Sequence, residues 1–239
     1  MLYTAIIVEP REHKALPYVL ENFLKNLSEE WSFIIFHGNK NLEFVNTIIE
    51  EKLSHHKHRI RLISLNVDNL SINDYNNLFK YNKQFYECIP TETFLVFQTD
   101  TIIIEKYKSL INIFLDYDFV GAPWNHYPRG NERVGNGGLS LRKKSKMLEI
   151  MEKEGSNHYP EDVYFSCPQN VAIRKPSFTE ALLFSVEEVF NGISFGCHKP
   201  WFRCYGNSLY GMHEEVRELY KYNDIPSNYT LYVKNNTNI

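Results

Sequence analysis

The apolar positions of the first half of the chain switch repeatedly between two periods. Tyr3–Val8 is a short, nearly continuous apolar run that suits a buried strand. Leu16, Val19, Leu20, Phe23, Leu24 and Leu27 then recur at helical spacing on one face, with Pro17 tolerated near the first turn. The pattern continues with a strand over 32–37, a helix over 42–53 and a strand over 60–65. A longer helix is predicted over 71–88, with Asp68 or Ser71 as its cap. A further strand over 93–98 ends at Thr99-Asp100. Strands separated by helices of this length predict βαβ crossovers and a mainly parallel sheet covered on both faces. Ligands of such sheets gather at the carboxyl ends of the strands. Glu9-Pro10-Arg11 and Asp100 follow two of those ends.

The second half has a different texture. Residues 119–142 are dense in Gly, Pro, Asn and Trp, including Gly121-Ala122-Pro123-Trp124 and Gly135-Asn136-Gly137-Gly138. A stretch of that length inside a compact domain reads as a working loop rather than filler. Helices are predicted over 143–154 and from Tyr159-Pro160-Glu161-Asp162 onward. Residues 177–190 are ambiguous, 193–195 read as a short strand, 209–220 as a helix, and 235–239 as a frayed end. No internal repeat or linker interrupts the chain, so one domain over 1–239 is expected.

Composition narrows the function classes. The 239 residues are 43% hydrophobic and 23% charged, which supplies a full core and excludes a disordered chain. Basic and acidic residues number 26 and 29, a formal −3, so no global charge points to nucleic acid or an anionic membrane. The first apolar run ends at Glu9-Pro10 and reads as a strand rather than a signal peptide, and no stretch is long enough to span a bilayer. The four cysteines, Cys88, Cys167, Cys197 and Cys204, form no CxxC pair and suit reduced, packed thiols in a cytoplasmic protein. Asn-X-Ser/Thr sequons at Asn26, Asn69, Asn228 and Asn235 are expected by chance in so Asn-rich a chain.

Several residues carry candidate chemistry, each beside a plainer reading. Asp100, at the end of a buried strand, suits a divalent cation bridging a diphosphate, or it simply turns the chain. Glu161 and Asp162 behind Pro160 suit a helix start through the macrodipole, while a carboxylate beside a cleft also suits a general base. His198 is either a satisfied structural histidine or a ligand. The cluster His55, His56 and His58 lacks a second ligand group at useful spacing and reads as solvated surface. Gly135-Asn136-Gly137-Gly138 matches neither a phosphate-binding P-loop nor a dinucleotide fingerprint; its glycines permit close backbone approach or a turn. Trp124 and Trp201 offer faces for a sugar ring, or pack in the core.

Taken in order, the blocks Phe97-Gln98-Thr99-Asp100, Gly121-Ala122-Pro123-Trp124, Gly135 to Arg142, Glu161-Asp162-Val163 and Phe195 to Trp201 resemble an uncharacterised family of glycosyltransferase-like proteins. Its members occur in bacteria, algae and large DNA viruses. The arrangement also resembles the wider GT-A class of nucleotide-sugar transferases. The resemblance spans roughly residues 3 to 202, most of one domain by size. It implies a GT-A-like α/β fold with a Rossmann-type, mainly parallel sheet flanked by helices. Residues 1–104 would form the nucleotide-binding half and 105–239 the acceptor and catalytic half.

The resemblance also assigns roles. Asp100 would be the second acid of a DxD-type motif, binding Mn²⁺ or Mg²⁺ on the donor diphosphate, and His198 would be the other metal ligand. Asp162 would be the general base of an inverting transfer. Glu9 and Arg11 would line the base and ribose, Asn136, Gly137 and Gly138 would border donor sugar and acceptor, and Lys199 would lie near the phosphates. The expected partners are a UDP- or GDP-linked sugar and a glycan or other hydroxyl acceptor. A viral or bacterial source is implied by the lack of a membrane anchor. The chain departs from the family pattern at Gln98, which stands where the first acid of the DxD motif is usual. That departure raises the alternative of a catalytically silent nucleotide-sugar or glycan-binding module. A nucleotidyltransferase would need a Gly-rich basic segment after the first strand, which Glu9-Pro10-Arg11-Glu12-His13 does not supply.

Overall fold

The computed structural model describes residues 1–202 and 206–225. Strands β1 (Tyr3–Val8), β2 (Trp31–His37), β3 (Ile60–Ser64) and β4 (Thr93–Val96) are parallel. Helices α1 (Leu16–Asn26) and α2 (Leu42–Glu51) connect β1 to β2 and β2 to β3. Two further strands, β6 (Phe119–Gly121) and β7 (Ser140–Lys143), complete a six-stranded sheet in the order β3-β2-β1-β4-β7-β6, with β7 antiparallel to both neighbours. The α/β architecture expected from the alternating pattern is the one observed.

The continuous apolar strands follow from burial on both faces. Ala5, Ile7, Phe33, Ile35, Leu95 and Leu141 point into one core with α1 and α2. Ile6, Val8, Ile34, Phe36, Phe94 and Val96, the alternate residues, point into a second core with Phe79, Tyr86 and Phe165. Each such side chain contributes about 1.5–3 kcal/mol through burial.

A smaller three-stranded sheet, β5-β9-β8, lies beside the main one. It comprises β5 (Thr101–Ile103), β8 (Ser185–Val186) and β9 (Gly196–His198). The sequence pattern placed a strand at 193–195. The strand begins later because Gly196 to His198 pair with Ile103 to Thr101. Gly196 is required at that seam: a Cβ there would sit 2.6 Å from the Ile102 carbonyl oxygen.

Two predicted helices are broken. The 71–88 segment divides into α3 (Ile72–Tyr81) and α4 (Lys83–Glu87) at Asn82, whose extended backbone lets its side chain accept from the Phe85 N–H at 3.1 Å. Ser71, not Asp68, caps α3, in a capping box with Asp74. Asp68 instead pairs with Lys40 on the surface. The C-terminal helical stretch divides at His213 into α8 (Gly206–Met212) and α9 (Glu214–Lys221). The intervening helices are α5 (Lys144–Lys153), α6 (Glu161–Ser166) and α7 (Phe178–Ala181).

The Gly/Pro-rich segment between β6 and β7 carries more order than its composition implies. Isolated bridges join Pro123 to Val134 and Arg129 to Glu132, so 123–134 folds back as a hairpin-like arm. Lys175 ties that arm down, donating to the Val134 carbonyl at 3.1 Å and to the Ser166 carbonyl at 2.6 Å, and pairing with Glu132.

Among the described residues, Cys88, Cys167 and Cys197 are free thiols, and Cys204 lies outside them. Asn228 and the 235–239 end also lie outside them, and Asn26 is buried with its amide donating to the Asn22 carbonyl. No described helix is long and apolar enough to cross a membrane.

Candidate functional site

The small sheet converges three chemically active side chains at one end. Thr101 on β5 is paired with His198 on β9, so Asp100, just before β5, comes alongside the histidine. On the other side, β8 runs parallel to β9 with Val186 opposite Cys197, which brings the next residue, Glu187, beside His198. His198 Nε2 lies 3.4 Å from Asp100 Oδ1, and Nδ1 lies 3.1 Å from Glu187 Oε1. The His198 side chain is 4% exposed and that of Asp100 is 17% exposed. Burial works against the imidazolium charge, but the two carboxylates outweigh it and raise the His198 pKa to about 9. Burial likewise opposes the Asp100 charge, and the histidine overcomes it, so that carboxyl is held below its usual range.

The 135–138 turn closes over this cluster. Asn136 Oδ1 accepts from His198 Nδ1 at 3.0 Å and from the Gly138 N–H at 3.1 Å, while its amide donates to Glu187. Gly138 has no room for a side chain: a Cβ would lie 2.3 Å from the His198 ring. Gly137 faces the other way, where a Cβ would meet Glu161 Oε1 at 2.4 Å and Asp162 Cβ at 2.8 Å. The adjacent glycines thus let one turn touch the histidine on one side and the acidic pair of α6 on the other.

The two acids of that pair have separate fates. Glu161 is 4% exposed and forms a bidentate pair with the fully buried Arg142, at 2.6 and 3.0 Å. Arg142 Nε donates to Ser140 Oγ at 2.9 Å, and its guanidinium lies over the rings of Phe79, Phe119 and Phe165. This pair is internal scaffold. Asp162, half-buried, accepts from its helix neighbour Val163 N–H at 2.8 Å and from Gly137 N–H at 3.3 Å, and among the described residues it forms no ion pair. Burial first, and the Glu161 charge second, push its carboxyl up to about 6.

Beyond Asp100 a cleft of about 400 Å³ opens at the carboxyl ends of β1 and β4. Glu9, Arg11, Tyr75, Gln98, Asp100 and Lys199 line it. Glu9 is 3% exposed and holds Arg11 through two 2.8 Å contacts. Lys199 has a left-handed backbone, φ 44°, and its N–H donates to the Asp100 carbonyl at 2.9 Å, fixing the turn that carries it onto the cleft. Gln98 donates to the Tyr75 hydroxyl at 3.0 Å.

The residues to which the resemblance assigned roles fall in one connected region. Glu9, Arg11, Asp100 and Lys199 share the cleft, and Asn136, Gly137, Gly138, Asp162 and His198 surround the turn behind it. Sequence reasoning missed Glu187, which lay in an ambiguous segment, and missed that Arg142 pins Glu161. The two tryptophans are buried, Trp124 at 5% and Trp201 at 9% exposure, so packing is the role observed. The histidines at 55–58 lie on a surface turn, with His55 and His58 exposed. Among the described residues no group of three or more His, Cys, Asp and Glu side chains is arranged to hold a metal ion.

Residues 59–198, more than half of the chain, match the model of a family described as proteins of unknown function, DUF5672. The chain belongs to that family. The matched span includes Asp100, Asn136, Asp162, Glu187 and His198, whereas Glu9, Arg11 and Lys199 lie outside it. No curated protein is detectably similar in sequence. Among solved structures, the galactosyltransferase LgtC in complex with donor and acceptor sugar analogues is similar at a TM-score of 0.54 and 13% identity, covering 96% of this chain and 99% of LgtC. The mannosyltransferase PcManGT from Pyrobaculum calidifontis, in complex with GDP-Man and Mn²⁺, is similar at a TM-score of 0.53 and 9% identity, over 97% of this chain and 68% of its own. S. aureus TarS residues 1–349 is similar at a TM-score of 0.51 and 10% identity, over 98% and 69%. The fold of this family member is thus the GT-A-like one shared with these glycosyltransferases.

Proposed function

We propose that this protein is a glycosyltransferase that moves a sugar from a UDP- or GDP-linked donor to the hydroxyl of a glycan or other acceptor, with inversion, using Asp162 as general base. The observation that carries the reading is Asp162 itself: a carboxyl raised to about 6, hydrogen-bonded to the same turn that packs on His198. A base with that pKa is ionised at neutral pH yet basic enough to accept a proton as the acceptor hydroxyl attacks.

The residues at Asp100 and His198 fit a divalent cation. Asp100 Oδ1 and His198 Nε2 are buried, face each other, and make no hydrogen bond of good geometry. The two atoms meet as an ion contact without a hydrogen bond to either, which leaves a position between them that a cation would take in place of the imidazolium proton. A carboxylate oxygen with an imidazole nitrogen suits Mn²⁺, and also Mg²⁺, with donor phosphates and water completing the coordination. When bound, such a cation would neutralise charge developing on the leaving diphosphate. PcManGT, the mannosyltransferase of the same fold, is in complex with GDP-Man and Mn²⁺, which supports this donor class and metal.

The chain's own groups divide the remaining work. Glu9 and Arg11 border the part of the cleft suited to base and ribose, and Lys199 adds a cation at its phosphate end. Asn136 to Gly138 present backbone where a donor sugar and acceptor would meet. Gly137 N–H holds Asp162 Oδ2, leaving the carboxylate to take the acceptor proton. The acceptor oxygen then bonds to the anomeric carbon as the bond to the phosphate oxygen breaks, and the electron pair leaves with the diphosphate.

The test is release of nucleoside diphosphate from UDP- and GDP-sugars with Mn²⁺ and candidate acceptors. Asp162→Asn is expected to lower turnover by about 10²–10⁴-fold while leaving donor affinity nearly intact. A variant with normal turnover would remove Asp162 from this role. Donor binding without any turnover in the wild type would favour the silent-module reading, which Gln98, engaged with Tyr75 in place of an acid, motivates.

A further inference from the structure

We infer that Glu187 is a positioning residue that fixes a proton of His198 on Nδ1 and so directs Nε2 toward Asp100. The inference rests on the cation reading above and names a group that reading does not use. The orientation of Asn136 is decided by its neighbours. The Gly138 N–H can only donate, so the Asn136 atom it meets at 3.1 Å is the carbonyl oxygen. The amide nitrogen then faces Glu187, whose carboxylate can only accept. His198 Nδ1 consequently sees two acceptors, Asn136 Oδ1 at 3.0 Å and Glu187 Oε1 at 3.1 Å. A nitrogen between two acceptors carries the hydrogen.

With a hydrogen fixed on Nδ1, the nitrogen left for a cation is Nε2, 3.4 Å from Asp100 Oδ1, where a bound cation would displace the second imidazolium proton. Packing holds the ring in that plane, because the absent Cβ of Gly138 would lie 2.3 Å from it. Glu187 is 7% exposed, and its charge is directed at the histidine and at Asn136 rather than at solvent. A carboxylate behind a ligating imidazole orients the ring and raises its basicity. The parallel β8–β9 register delivers Glu187 to this position, so the small sheet builds the ligand and its support together.

The experiment measures Mn²⁺ binding by electron paramagnetic resonance, with the metal alone and with UDP or GDP added, and reads ¹⁴N coupling to the bound ion by spin-echo modulation. The wild type is expected to show imidazole ¹⁴N coupling. Glu187→Gln keeps the shape but removes the carboxylate, and is expected to weaken Mn²⁺ about 10–100-fold. The swapped pair Glu187→Gln with Asn136→Asp returns a carboxylate to Nδ1 and is expected to restore affinity to within about threefold of the wild type. Unchanged affinity in a folded Glu187→Gln would overturn the inference and leave the cation reading standing. Absence of ¹⁴N coupling in the wild type would overturn the cation reading at His198, and this inference with it. Should the single variant not fold, the swapped pair still decides: affinity within about threefold supports the role, and a loss beyond about tenfold contradicts it.

Discussion

Two buried charge clusters flank the 136–138 turn, and they differ in whether their hydrogen bonds close. On the Gly137 side, Arg142 spends its guanidinium on both oxygens of Glu161 and on Ser140, with aromatic rings around it. On the Gly138 side, the chain Glu187, Asn136, His198 is hydrogen-bonded from one end and ends in the 3.4 Å ion contact of His198 with Asp100, where neither facing atom has a hydrogen bond. A closed buried network specifies structure, whereas a network left open at one end holds a place for something else. Asp162 sits at the boundary, beside the closed cluster but outside its ion pair.

The contrast can be broken most sharply at Arg142. Arg142→Met strands the Glu161 carboxylate in the core and is expected to cost about 3–5 kcal/mol in urea unfolding. Asp100→Asn leaves His198 paired with Glu187 and is expected to cost less, about 1–3 kcal/mol. Equal losses would erase the distinction.

Next in size is the cation. Asp100→Ala and His198→Ala are each expected to weaken Mn²⁺-dependent donor binding by at least about tenfold in calorimetry, as loss of a ligand from a small set should. The adjacent glycines then sharpen the comparison by a single methyl group. Gly138→Ala drives a Cβ into the His198 ring and should weaken Mn²⁺-dependent donor binding, while Gly137→Ala collides with Glu161 and Asp162 and should lower turnover. A reversed pattern would exchange the roles of the two sides.

The smallest effect is one of pH. Because the folded Asp162 carboxyl is raised to about 6 from 3.8, its ionisation opposes folding at pH above about 6, and the penalty fades as pH falls toward 4. Asp162→Asn should therefore stabilise the protein at pH 8, on the order of 1 kcal/mol after solvent screening, and not at pH 4. The same group should give turnover in the wild type an acid limb near pH 6. Denaturation curves at both pH values and a pH–rate profile check the two halves of that statement.

The parallel sheet was legible because Tyr3–Val8 and its partners are apolar on both faces, and because α1 and α2 carry clean helical stripes. Asp100, Asp162 and His198 stood out by type and position, although their convergence needed the fold. The small sheet was not legible. β5 is Thr101–Ile103 and β8 is Ser185–Val186, too short for any period to register, and β9 was displaced from its predicted place. Glu187 owes its setting to that sheet, so its nearness to His198 could not be read from spacing. Asn82 and His213 break helices through local backbone that an apolar stripe does not report.

The central claim is that the open cluster is a donor and cation site. It is tested most directly by thermal shift against UDP-, GDP-, CMP- and dTDP-sugars, each with and without Mn²⁺. The account predicts a raised midpoint for a UDP- or GDP-sugar that requires Mn²⁺ and disappears in His198→Ala. A shift that ignores Mn²⁺, or survives loss of His198, would contradict it.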